Sequence, residues 1–220
     1  MQKWLNKPLV VATTDIQAYY CLVNLLKKAG FSDFMSLLPE SELPPNAIIL
    51  TTTVEGKKIA RRKEGNFRII SFNFNGRDKT VEDLDLIVKI LEQEKGKKVF
   101  EKSVIGIDPG SKYTGLALLV EDQVVYTCRR QGIEEVEKTL SKILRLVKAR
   151  RRVVKLGEGW GREAKKWIEH FKNFVKRKKN VEFYVVPEHG TTKKKSKNFG
   201  KDQAAAIQIA YRPENFERDG

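Results

Sequence analysis

Only two cysteines and two histidines occur in the 220 residues. Cys21 and Cys128 sit in separate apolar-periodic segments with no second ligand at metal-site spacing, so neither a disulfide framework nor a Cys-rich zinc site is expected, and both should be buried, reduced thiols. No Ser-His or Cys-His pair offers a nucleophile with its base. Long apolar runs are missing as well: none approaches the roughly 20 residues that a bilayer-spanning helix needs, so no membrane role is expected. The opening, MQKWLNKPLVVATTD, starts basic but lacks a long apolar stretch followed by a small-residue cleavage site. It does not read as a signal peptide, and the expected location is cytoplasmic. There are no internal repeats.

Positive charge is what the chain has in excess. Lys and Arg number 43 against 28 Asp and Glu, a formal net charge of +15. The surplus is uneven, with 16 basic and 12 acidic side chains over residues 1–98 and 27 and 16 over residues 99–220. Attraction for polyanions is therefore concentrated in the second half, and phosphate backbones are the commonest polyanions. A basic surface also serves solubility, so charge alone does not decide between the two uses. With 40% apolar and 32% charged residues the composition is globular, and the length suffices for one large domain or two small ones.

The polar stretch EKGKK at 94–98 carries a helix-breaking glycine and is expected to link two domains, 1–98 and 99–220. Before it, the pattern predicts a strand over 9–12 and Asp15 as the cap of a helix that Gly30 ends. Strands over 47–52 and 67–74 and an amphipathic helix over 81–93, with Leu84, Ile87, Val88 and Leu91 on one face, complete a small α/β domain. LPESELPPN and VEGKKIARRKEGN read as loops or a hairpin tip, the second gathering Lys57, Lys58, Arg61, Arg62 and Lys63.

After the boundary come strands over 103–108, 114–120 and 123–129, the last two closed by a tight Glu121-Asp122 turn. A helix with Ile133, Val136, Leu140, Ile143, Leu144 and Val147 at helical spacing follows, then a strand over 153–157. A helix over 162–176, a strand over 181–186 and a final helix holding Ala204, Ala205, Ile207 and Ala210 complete the string βββαβαβα. This order resembles the RNase H-like superfamily, in which a three-stranded antiparallel meander is extended beyond its first strand by two parallel strands. Sequential pairing and right-handed crossovers leave few other topologies. The expected fold of 99–220 is therefore α/β, a mixed five-stranded sheet with helices on both faces.

Within it, IGIDPGSKYTGLALL, residues 105–119, resembles the opening of the RuvC and YqgF families, where a strand ends in Asp, turns on glycine and re-enters at Thr-Gly: here Asp108, Gly110, Thr114 and Gly115. The same pattern occurs in actin-like and sugar-kinase ATPases, but those close two such domains on a nucleotide and the second half has length for only one. The resemblance implies that Asp108 is a metal ligand and that Glu158 in VVKLGEGWG is a second, borne by the neighbouring parallel strand. VEFYVVPEHGTT resembles the YqgF strand that ends in an acid, placing Glu188 in the site; Pro187 and His189 depart from that pattern. KDQAAAIQIAYR resembles the C-terminal helix of both families, making Asp202 the last ligand, with Ala205 and Ala206 letting the helix approach the sheet. Gln203 or Gly200 stands where RuvC-like enzymes often have a further acid. An ordinary Asp-Pro-Gly turn, a solvent-exposed Glu158 in a glycine-rich loop and an Asp202 that merely favours the helix dipole are the plain alternatives.

Three carboxylates gathered at one sheet edge repel one another until a cation neutralises them, and hard oxygen donors suit Mg²⁺ or Mn²⁺. The expected activity is two-metal phosphodiester hydrolysis, with branched DNA implied by the RuvC resemblance and structured RNA by the YqgF resemblance. Lys193, Lys194, Lys195, Lys197 and Lys201 around Phe199, together with Lys112 in the first turn, are the expected nucleic-acid contacts. A RuvC-like enzyme acting on a four-way junction would work as a homodimer. The competing expectation is an inactive RNase H-like module that binds nucleic acid, for example in ribosomal RNA processing.

Overall fold

The computed structural model of the chain describes residues 5–62, 65–73, 83–159, 161–187 and 200–214. It divides into two compact units, Met1–Lys98 and Val99–Gly220. In the first, β1 (Leu9–Ala12), β2 (Met35–Leu37), β3 (Ile48–Thr52) and β4 (Arg68–Phe72) form a parallel sheet in the order β2-β1-β3-β4. The connecting helices are α1 (Ile16–Lys28), α2 (Thr53–Ala60) and α3 (Asp83–Lys95). β1 and most of β3 are unbroken buried apolar runs, as strands covered on both faces must be. Val10, Ala12, Ile49 and Ile59 meet in the core beside them.

Two expectations need correction here. Residues 54–66 are not a hairpin tip, because α2 occupies their first half. Thr52 caps it by accepting from the Glu55 N–H at 3.2 Å and donates its own hydroxyl to Glu55 Oε2 at 2.7 Å. The polar stretch 94–98 is not all linker either. α3 continues to Lys95, and Glu94, only 5% exposed, accepts the Asn6 and Lys7 N–H groups and thereby holds the segment before β1.

The second unit is the RNase H-like α/β fold. Its strands are β5 (Phe100–Asp108), β6 (Thr114–Val120), β7 (Gln123–Arg130), β8 (Ala149–Glu158) and β9 (Val181–Pro187), in the order β7-β6-β5-β8-β9. β5, β6 and β7 are antiparallel, while β8 and β9 continue parallel to β5. Glu121 and Asp122 both take positive φ, +49° and +62°, the left-handed pair whose twist matches a two-residue hairpin. α4 (Gly132–Leu146) joins β7 to β8 and α5 (Gly161–Lys176) joins β8 to β9. Both crossovers move the same way across the sheet, so the right-handed rule puts both helices on one face. His170 Nε2 on α5 lies 2.5 Å from Glu137 Oε2 on α4 and ties them there.

The opposite face belongs to α6 (Lys201–Tyr211), which packs across β5, β6, β7 and β8. Val104, Ala117, Leu119 and Val153 of the sheet meet Ala206 and Ala210 of the helix. Two glycines allow that approach. A Cβ on Gly106 would lie 2.1 Å from the Ala206 carbonyl oxygen, and one on Gly115 would lie 2.0 Å from the Asp202 carbonyl oxygen. The far end of α6 is held by Lys155, which is 3% exposed. Its Nζ donates to the carbonyls of Ala210 and Arg212 and pairs with Glu214. Burial pushes the Lys155 ammonium down from its ordinary value, and the Glu214 carboxylate opposes that push.

Candidate functional site

Asp108 ends β5, Glu158 ends β8 and Asp202 stands in the first turn of α6. All three are half-buried. Asp108 pairs with Gly115 across the β5–β6 ladder, and Gly115 is the residue against which the Asp202 backbone rests. Asp108 and Asp202, distant in sequence, therefore share one end and one face of the sheet. The glycine is what permits this, because a side chain there would hold α6 away.

Glu158 stands differently. Ile107 lies opposite Leu156 in the parallel ladder. Strand alternation then puts Glu158 on the Leu156 side, under α4 and α5, while Asp108 lies on the Gly106 side, under α6. The two carboxylates thus belong to the same edge of the sheet but to opposite faces. Among the described residues no group of three or more His, Cys, Asp and Glu side chains comes together in a way that could hold a metal ion. Glu188, Lys193, Lys194, Lys195, Lys197 and Phe199 lie outside the described residues, as does His189. Lys201 is exposed at the start of α6, and Lys112 is exposed in the turn after Asp108.

Cations surround the Asp202 end. Arg129 on β7 pairs with Gly115 in the β6–β7 ladder, lies 3.9 Å from Asp202 Oδ2 and sits over the Tyr113 ring, 5.1 Å from its centroid. Gln203 fixes the helix start by donating to Thr127 Oγ1 at 3.0 Å. A cleft of about 660 Å³ opens beside this corner, walled by Tyr113, Arg129, Arg130, Gln131 and Lys138 among others. A second cleft, also about 660 Å³, lies between the 109–112 turn, the start of α4 and α5, with Lys166 and Trp167 on its far wall. Gln131 belongs to both.

Sequence reasoning missed Tyr113, Arg129, Lys166 and Trp167. Arg129 reads as a strand terminus and Trp167 as one apolar position of an amphipathic helix. No local pattern reports that β7 ends and α5 begins at the same edge. One signal was present: an aromatic directly after a cation in Lys112-Tyr113, inside the turn already singled out.

The model of the RRXRR protein family matches residues 73–182, half of the chain. That segment includes Asp108 and Glu158 and stops before α6. No curated protein matches. Among solved structures, Thermus thermophilus RuvC in complex with a Holliday junction substrate is similar at 16% identity and a TM-score of 0.37, over 50% of this chain and 90% of that one. The fowlpox virus resolvase in complex with Holliday junction DNA is similar at 16% identity and a TM-score of 0.31, over 40% of this chain. The match spans 61% of the resolvase chain. No helix among the described residues is long and apolar enough to cross a membrane.

Proposed function

The chain belongs to the RRXRR protein family, and on that premise we propose that its second unit is a Mg²⁺- or Mn²⁺-dependent endonuclease acting on branched DNA or structured RNA. The observation that carries this reading is the seating of the Asp202 backbone on Gly115, the ladder partner of Asp108. It delivers two carboxylates from opposite ends of the domain to the carboxyl edge of an RNase H-like sheet. Open α/β sheets bind their ligands at that edge.

The donor chemistry fits a hard divalent cation: carboxylate oxygens with no thiolate or imidazole among the proposed ligands. Asp108 and Asp202 would hold it from the α6 face, while Glu158, set on the opposite face by strand alternation, falls outside that ligand pair. When bound, such an ion polarises a phosphodiester and lowers the pKa of a water. This chain's own part is to position and to neutralise. Lys112 and Arg129 place positive charge at the rim, where phosphate oxygens would be held. The net +11 of residues 99–220 raises the local concentration of polyanions. The reading includes a cytoplasmic protein and, on a four-way junction with two symmetric strands to cut, a homodimer.

Asp108→Asn tests it. On a panel of labelled junctions, forks and folded RNAs with Mn²⁺, cleavage should fall at least about a hundredfold, roughly 2.7 kcal/mol of activation free energy. Equal cleavage by the variant would end the proposal. A second reading, a nucleic-acid-binding module without catalysis, is favoured by the Glu158 side of the sheet and by the Arg129–Asp202 pair, which already neutralises part of the acid charge. Tight binding without metal and no cutting by the wild-type chain would select it.

A further inference from the structure

We infer that the two clefts at the carboxyl edge of the second unit seat an unpaired nucleic-acid strand, with Trp167 as the platform for one base and Lys112 and Lys166 as its phosphate contacts. This rests on the nucleic-acid reading above and adds to it the form of the ligand and the path it takes. The clefts share Gln131, and Lys112 of one lining is followed in the chain by Tyr113 of the other, so the proposed strand would pass from one cleft into the next as along a single trough. Cations stand along it: Arg129 and Lys138 in one part, Lys112 and Lys166 in the other. An aromatic side chain stands in each part, Tyr113 in the first and Trp167 in the second.

Aromatic faces alternating with cations in a concave trough suit single strands, whose bases are free to stack on protein rings while the phosphates track the positive charge. A duplex keeps its bases stacked inside and meets proteins mainly through phosphates and groove edges. The Trp167 ring is also held in place. It packs against Phe171 with centroids 5.7 Å apart and an interplanar angle of 32°, and Phe171 is itself fully buried. A ring fixed before binding costs less entropy when a base arrives. The Lys112 and Lys166 side chains are exposed and flank the cleft from opposite walls, the turn after β5 and the body of α5.

The test is equilibrium binding of fluorescein-labelled oligothymidylate, and of an RNA of equal length, to the full chain in EDTA. Working without metal keeps the measurement independent of cleavage. Trp167→Ala should weaken binding about tenfold and Trp167→Phe should recover most of it. Intrinsic tryptophan fluorescence, quenched by the oligonucleotide in the wild type, should show a smaller quench in Trp167→Phe, by the share that Trp167 contributes. Lys112→Gln and Lys166→Gln should each reduce the slope of log affinity against log salt by about 0.7. Unchanged affinity, quench and slope in these variants, with the wild type still binding, would overturn the trough and leave the nuclease proposal standing. A wild type that cuts branched substrates but ignores single strands would do the same. Trough variants that bind weakly in a chain that never cuts would support the trough and remove the nuclease.

Discussion

Glu55 shows how far one side chain can depart from its ordinary chemistry. It is 8% exposed at the carboxyl edge of the first sheet. Its two oxygens accept from the Thr13, Thr14 and Thr52 hydroxyls at 2.6 to 2.7 Å, and from the Thr14 N–H at 2.7 Å. Burial alone would raise the carboxyl, but these donors outweigh it and bring it from 4.5 down to about 2. A carboxyl held low in the folded state stabilises it fully above about pH 5, and the contribution fades as the pH falls toward 2. The difference amounts to about 3 kcal/mol. Urea unfolding of the wild type should therefore lose stability over that window, while Glu55→Gln should start weaker at neutral pH and respond less to acid. An unaltered acid profile in the variant would show that other carboxyls govern it. The capping pair Thr52-x-x-Glu55 stood in the sequence, but Thr52 read as the end of a strand over 47–52 and the residues after it as a loop or hairpin tip. Asp108 was legible: an apolar strand running straight into an Asp-Pro-Gly turn leaves its carboxylate few other places to be.

At the scale of elements, α6 decides what the sheet edge contains. Its small residues announced close packing: Ala206 is fully buried, and Ala210 nearly so. What they pack against was not legible. Gly106 and Gly115 read locally as a strand position and a turn position, and the backbone that lies on them, at Ala206 and Asp202, comes from the far end of the chain. Gly115→Ala should cost about 3 kcal/mol of stability in the second unit, because the clash is with backbone atoms that have no alternative rotamer. It should also lower any Asp108-dependent cleavage beyond what the melting loss explains, since the helix that moves carries Asp202. Gly30→Ala is the informative control. Its Cβ meets nothing within 4 Å and only the φ of +85° opposes it, so about 1 kcal/mol and no loss of cleavage are expected. Equal effects of both changes on cleavage would detach Asp202 from the site. The short edge strand β2, three residues of mixed character, had no periodicity to read.

The whole molecule is two compact units, each with a buried apolar cluster of its own. Cooperative unfolding is a property of a core, so calorimetry of the full chain should show two transitions. Glu55→Gln should lower one of them and Gly115→Ala the other; a single transition moved by both would show that the cores melt together. The architecture of the second unit was readable because element order constrains a sheet strongly: three strands, then two crossovers, leave little choice of neighbours. Arrangement at the edge was less readable, since alternation separates Asp108 from Glu158 by a register that no local motif encodes. α6 adds a consequence in time. On a growing chain, everything through β9 can emerge from the ribosome while Asp108 still lacks its companion. The sheet edge remains unfinished until residues 200–212 arrive and settle on the two bare glycines, so, under the proposed nuclease function, a nascent or truncated copy would touch a nucleic acid and leave it uncut.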